Sequence, residues 1–318
     1  MMYTQATPMR EAFGAALVEV GKKDPRVVAL CADLTDAIKL TQFQETFPDR
    51  FYQMGIKESD MIGTAAGMAI DGLVPFAATF AIFATSLANQ AVRVSVGYNE
   101  ANVKIVTSHG GVCVGADGAT HQAFEDVALM RMVPGMTVLV PCDAHEAYKA
   151  TMAVAEFNGP VYLRLGRIAS PVVTSESDPF AIGKGQILRP GNDVAVVAMG
   201  MMVPEALKAA QTLADEGISV RVINMSTVKP LDTDILAVAA EECGCMVTVE
   251  EHSVLGGLGG ACTEFLARKC PIPLERVGIL DTFGESGEPT EILTKYKLDT
   301  ETIITTIKNV FSRKRRTQ

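Results

Sequence analysis

Short apolar runs alternating with helical stretches, repeated in two blocks, constrain this chain more than any other feature. Residues 9–20 space their apolar side chains at helical intervals, and residues 26–31 follow as a short buried strand. Further strands are expected at 73–80, 103–107, 137–140 and 160–165, with helices at 87–98, 123–132 and 144–156 between them. Such an alternation reads as a mostly parallel, doubly wound sheet. The rhythm stops over residues 168–192, where Pro171, Ser175, Ser177, Pro179, Gly183, Gly185, Pro190 and Gly191 crowd together. It resumes with strands at 194–198, 219–223, 246–250 and 274–279 and helices at 204–217, 232–242 and 258–269. Two doubly wound α/β domains are therefore expected, at residues 1–170 and 191–318, joined by a linker over 171–190.

The 318 residues, 48% hydrophobic, supply enough apolar material for two cores. No stretch reaches the ~20 apolar residues of a membrane span. Residues 1–8 lack the charged-then-apolar pattern of a secretory signal. The net charge of −9 speaks against a nucleic-acid partner, and the basic run from Arg313 to Arg316 reads as a solvated terminus. Seven scattered cysteines, with only Cys243 and Cys245 close together and no second pair, fit reduced thiols better than a zinc site. A cytoplasmic protein without membrane contact is the expectation.

Candidate chemistry collects near the carboxyl ends of the first block's strands, where open parallel sheets bind ligands. Asp33 follows the first strand and is either a plain turn residue or a ligand group. Glu58 precedes Ser59 and Asp60, both suited to capping, and a small-residue helix from Ala65 to Ala69. Burial there favours the protonated carboxyl, and the helix N-terminus favours the ionised one. A carboxyl so balanced suits proton exchange with a bound base, although electrostatic support of the helix start is an equal reading. Phe80 and Phe83 share one face of a helical turn, as core or as pocket wall.

Densest of all is His109-Gly-Gly-Val-Cys-Val-Gly-Ala-Asp117-Gly-Ala-Thr-His121-Gln, which holds two of the chain's four histidines. Its glycines allow unusual backbone angles and close ligand approach. The spacing of His109, Asp117 and His121 matches no common ligand set, so no metal is assigned to this chain. Arg164 and Arg167 close the last strand, where a guanidinium grips phosphate or carboxylate, or simply pairs with an acid. Gly256-Gly-Leu-Gly-Gly260 lacks the dinucleotide spacing and is read as a tight turn.

Four stretches resemble transketolase: Gly-Ile-Lys-Glu58 with its Met-Ile-Gly-Thr-Ala-Ala-Gly, Thr-Phe80-Ala-Ile-Phe83, Gly-Ala-Asp117-Gly-Ala-Thr-His121-Gln, and Cys31-Ala-Asp33-Leu-Thr. The resemblance covers essentially the whole chain but only the second and third of transketolase's three domains, the pyrimidine-binding and C-terminal ones. It implies the C-terminal subunit of a split transketolase. Such a subunit uses thiamine diphosphate to transfer a two-carbon ketol unit between sugar phosphates, with the pentose phosphate pathway as the usual setting. By the same resemblance Glu58 protonates the cofactor's aminopyrimidine, Phe80 and Phe83 line the pyrimidine pocket, and Asp33 reaches the cofactor through hydrogen bonds. Arg10, His109 and Arg164 match groups that hold the sugar phosphate, Asp117 one that reads a substrate hydroxyl, and His121 one beside the reacting carbons. Two positions depart from the pattern. Ser86 stands where a third aromatic is usual, and Ala37 where a phosphate-binding serine is usual, with Lys39 the nearby candidate to replace it.

The family's diphosphate and metal site begins with Gly-Asp-Gly, which this sequence lacks. The resemblance therefore implies a partner, an N-terminal subunit holding the diphosphate and a Mg or Ca ion, and assembly as a dimer of heterodimers. Alternatives are a related thiamine enzyme, such as deoxyxylulose-phosphate synthase or the β chain of a 2-oxoacid dehydrogenase, and a noncatalytic scaffold. His109 favours transketolase over the synthase, which usually carries an acidic residue there. The loop from Asp117 to Gln122 separates this chain from the β chain.

Overall fold

The computed structural model describes residues 3–317. In chain order the first block forms β1 (Thr7–Pro8), β2 (Val27–Cys31), β3 (Phe51–Gln53), β4 (Val74–Phe80), β5 (Lys104–Ser108), β6 (Thr137–Leu139), β7 (Val161–Arg164) and β8 (Ala169–Ser170). The second forms β9 (Gln186–Arg189), β10 (Val194–Ala198), β11 (Val220–Asn224), β12 (Thr227–Lys229), β13 (Met246–Ser253) and β14 (Leu274–Ile279). Two sheets result, ordered β12-β6-β7-β5-β4-β2-β3 and β14-β13-β10-β11-β9, together with a small β1-β8 pair. Their interior pairings are parallel.

Every residue of β2, β4 and β5 is buried, as expected of parallel strands covered on both faces. The period of two divides them cleanly. Val27, Ala29 and Cys31 pack with Phe13 and Leu17 of the Met9–Lys23 helix and Ala147 of the Ala144–Glu156 helix. Val28 and Leu30 face the other way, toward Met61, Ile62 and Ala65 of the Glu58–Ile70 helix. That second cluster continues without a break into Ala195, Val197 and Ile223 of the second sheet, so one apolar core joins the two sheets.

Besides short strands at β1, β3 and β8 and the closing helices Pro289–Lys295 and Thr300–Thr317, three features differ from the sequence reading. Gln186–Arg189, inside the expected linker, is an edge strand antiparallel to β11. Thr227–Lys229 leaves the second block to pair antiparallel with β6 of the first sheet. The expected helix over 87–98 is wound with wide π turns at Phe83–Leu87 and Val92–Tyr98. In the first of these turns Thr85 and Ser86 donate hydroxyls back to the carbonyls of Ala81 and Ile82, a pattern that loosens a helix. Among the described residues no helix is long and apolar enough to cross a membrane.

Between β2 and β4 the chain's direction of travel reverses, since β3 lies beyond β2 on the other side. Such a switch point opens a crevice outside the strands' carboxyl ends. Asp33, Phe80 and His109 all lie at those ends.

Candidate active site

Two side chains at the crevice sit on left-handed backbone. Asp33 has φ 59° and His109 φ 60°, conformations that non-glycine residues hold only where their surroundings fix them. For Asp33 the fixing group is Gln53, whose Oε1 accepts from the Asp33 amide at 2.7 Å and the Gly55 amide at 3.2 Å. Gln53 thus ties the turn after β2 to the segment that leads into Glu58. The Asp33 side chain is exposed.

Glu58 opens its helix and is 5% exposed, yet it has no hydrogen bond or ion pair to any described residue. Its neighbour Ser59 donates to the Leu87 carbonyl at 2.9 Å and so holds this helix start against the Phe83–Leu87 turn. A buried carboxyl without a partner is costly unless a ligand supplies one.

Four rings cluster at the carboxyl ends of β4 and β5 and in the loop that follows. Phe80 stacks on His109 with centroids 3.8 Å apart and on Phe83 at 5.8 Å. His121 meets Phe83 edge-on at 5.4 Å and Phe80 at 6.4 Å. His109 is 4% exposed and shares a 2.9 Å hydrogen bond through Nδ1 with the Ser108 hydroxyl. Burial first, then the positive charges of Arg10 and Arg167, hold its pKa down to about 3, so the imidazole is neutral at physiological pH. Asp117 is exposed in the Gly115–Thr120 turn that ends at His121. Ser86, at the position of the missing third aromatic, is exposed and turned back onto its own helix.

The two arginines near the end of β7 sit in different surroundings. Arg164 is 4% exposed and committed to the interior: Nε donates to Asp126 at 2.8 Å, and Nη2 to the carbonyls of Ala123 at 3.2 Å and Glu251 at 2.8 Å. Tyr162 adds a 2.6 Å bond to the same Asp126 oxygen. Arg164 is the last residue of β7, and its hydrogen bonds go to Asp126, Ala123 and Glu251. Arg167, three residues past it, is half-buried, has no ion pair or hydrogen bond to any described residue, and adds its charge to the burial that lowers the pKa of both Arg10 and His109. Arg10 donates Nη1 to the Ala37 carbonyl at 3.0 Å and leaves Nε buried without a partner. Two unsatisfied guanidinium groups held near each other suit an anion. Lys39 instead pairs with Asp36 at 3.4 Å.

The loop carrying His109, Asp117 and His121 is held from the second domain. Gln122 donates to the carbonyls of Val112 and Glu285, both at 2.8 Å, and Ser286 to that of Ala116 at 2.9 Å. Glu251 reaches in from β13 to accept from the amides of Val112 at 2.9 Å and Cys113 at 2.8 Å. Neither Gln53 nor Glu251 stands out in the sequence, where a lone polar residue in a strand has no distinguishing neighbour, whereas Gln122 belongs to the conspicuous loop motif.

Comparison with known families now decides what this crevice belongs to. Residues 5–172 match the pyrimidine-binding domain of transketolase and residues 183–303 the transketolase C-terminal domain. The chain belongs to the transketolase family. It is 42% identical, over 96% of its length and 95% of the relative's, to a 6-deoxy-6-sulfo-D-fructose transketolase subunit of Clostridium sp. (strain MSTE9). It is 38% identical to one of the subunits of the apulose-4-phosphate transketolase of Phocaeicola vulgatus, covering 93% of this chain and 95% of that one. A solved split gene transketolase, described as an inactive β4 tetramer, superposes with a TM-score of 0.91 at 44% identity, covering 96% and 98% of the two chains. These transketolase relatives share the two-domain extent of this chain and not a third domain.

Proposed function

We propose that this chain is the C-terminal subunit of a two-chain, thiamine diphosphate-dependent transketolase that moves a two-carbon ketol unit between sugars bearing a terminal anion. One observation carries the reading: the ring wall of Phe80, Phe83, His109 and His121 stands beside two arginines, Arg10 and Arg167, with unsatisfied guanidinium groups. When bound, thiamine diphosphate supplies the electron sink that lets the carbon–carbon bond next to a ketose carbonyl break. The residues present suit its pyrimidine. Phe80 and Phe83 offer an apolar wall, and the unpartnered Glu58 carboxyl is the group to hold a ring nitrogen and exchange a proton with it.

The substrate residues divide by chemistry. Arg10 and Arg167 grip the terminal anion; Arg167 takes the role that the sequence resemblance gave to Arg164. His109, neutral and bonded through Nδ1 to Ser108, offers its remaining ring nitrogen to a sugar oxygen. Asp117 reads a hydroxyl, His121 moves a proton beside the reacting carbons, and Asp33 supports the cofactor through its turn. Ala37 contributes only its carbonyl, to Arg10, so the anion is held without a serine hydroxyl.

Diphosphate and a Mg or Ca ion fall to an N-terminal partner subunit, in a dimer of heterodimers, because the sequence has no Gly-Asp-Gly. The related solved chain, described as an inactive β4 tetramer of a split gene transketolase, supports the need for that partner. Relatives named for a sulfonated ketose and for apulose 4-phosphate favour a specialised sugar route over the central pentose phosphate pathway. The test is a coupled ketol-transfer assay on the purified complex with phosphorylated, sulfonated and uncharged ketoses. Transfer confined to the anionic donors is expected, and equal use of the uncharged ketose would overturn the anion-site assignment.

A further inference from the structure

Of the buried acids that this chemistry leaves unused, Glu251 stands closest to the site. It is 2% exposed, sits in the middle of the second domain's strand β13, and sends its carboxylate out of that domain into the loop that follows His109. There Oε1 accepts from two consecutive amides, Val112 and Cys113. The loop is shaped to receive it. Gly111 has φ +97°, and a Cβ there would lie 2.2 Å from the Glu251 carboxyl carbon. Around this point the Gly111 amide donates to the Ala123 carbonyl at 2.6 Å, and Arg164 ties Ala123 to the Glu251 backbone. The segment from Gly110 to Ala123 is thereby closed into a ring whose root is Glu251 and whose outer arc carries Asp117 and His121.

We infer that Glu251 is a positioning residue for ketol transfer: its carboxylate sets the His109–Gln122 loop, and through it the substrate groups, while leaving Glu58, the group that exchanges a proton with the cofactor, untouched. The separation follows from the topology, since Glu58 opens the helix after β3 and shares no hydrogen bond with that loop, whereas the loop meets Phe80 and Phe83 only through the rings of His109 and His121. The inference rests on the transketolase reading above. It adds a specific division, in which the second domain governs handling of the sugar but not activation of the cofactor.

The experiment uses Glu251→Gln and Glu251→Leu in the chain combined with its N-terminal partner, thiamine diphosphate and Mg. Three quantities are read: ketol transfer, deuterium exchange at the cofactor's thiazolium carbon, and amide exchange of the 110–122 peptide in the chain alone. Glutamine keeps an acceptor of weaker, neutral kind, so about a fivefold fall in kcat/KM is expected. Leucine keeps the volume and removes the acceptor, so a fall of about a hundredfold or more is expected, with faster amide exchange over 110–122. Thiazolium exchange stays within about twofold of the parent in both, because Glu58, the proton-exchange group, is unmoved. Transfer and thiazolium exchange falling together would overturn the inference and mark Glu251 as general structure. So would faster amide exchange with unchanged transfer. A parent complex without ketol transfer would instead sink the proposed function, which keeps the two failures apart.

Discussion

Arg167 stands near enough to His109 to depress its proton affinity, while Arg164, three residues earlier, is sealed against Asp126. One strand end therefore carries two arginines with separate duties. Replacing each reads those duties out independently. Arg167→Ala should raise the KM for an anionic ketose by about tenfold to a hundredfold, the scale of a lost charge-assisted hydrogen bond, with the thermal midpoint unchanged. Arg164→Ala should leave a buried carboxylate unpaired and destabilise the chain by about 3–5 kcal/mol. Thermal unfolding beside steady-state kinetics checks both; a stable Arg164→Ala with an Arg167-like KM would reverse the assignment.

Glu58 is tested by its amide. Glu58→Gln keeps the shape and removes the exchangeable carboxyl proton, so deuterium exchange at the thiazolium carbon should slow by about 10²–10⁴ in the saturated complex. Helix support alone predicts a change of about 1 kcal/mol or less in stability and normal turnover. An exchange rate within about twofold of the parent would return Glu58 to that plain role.

His109 makes a pH prediction. Its pKa in the folded chain, about 3, lies below the ordinary 6.5. Below pH 6.5 the unfolded chain takes up a proton that the folded chain refuses, so this residue's share of stability is complete above 6.5 and drains as the pH falls toward 3. Urea midpoints followed over that range should fall more steeply for the parent than for His109→Asn. Parallel curves would mean that His109 titrates normally.

The chain without its partner should bind thiamine diphosphate weakly and show no ketol transfer, and adding Mg should change neither. Calorimetry on the chain, the complex and the complex stripped with a chelator is the check. Full turnover by this chain alone would show that the metal and diphosphate groups have been misplaced.

Much of the fold was legible because β2 and β10 are apolar along their whole length and β4 is so but for Thr79, a pattern that burial on both faces requires. The glycines from Gly256 to Gly260 were also legible as geometry. Glu250 fills the amides of Leu258 and Gly259 at 2.7 and 2.8 Å, leaving no room at that helix start for a phosphate. The rings and histidines of the site could be seen because they cluster in sequence. What escaped was long-range. Arg164 and Arg167 look alike in a string, and only the end of β7, together with an acid 38 positions away, tells them apart. Glu251 meets its amides across 139 and 138 positions, and no local periodicity encodes such a meeting.

The short strand β12 has a mechanical consequence. It springs from the second domain yet lies along β6 at the margin of the first sheet, with register Thr227 to Leu139. Lys229 then anchors to the carbonyls of Arg131 and Val133 at 2.9 and 2.6 Å. Swinging the two domains apart would mean unzipping that strand and tearing the apolar core shared by the two sheets. The molecule has forfeited its hinge. On the function proposed above, room for a sugar to come and go then falls to the partner subunit's side of the crevice.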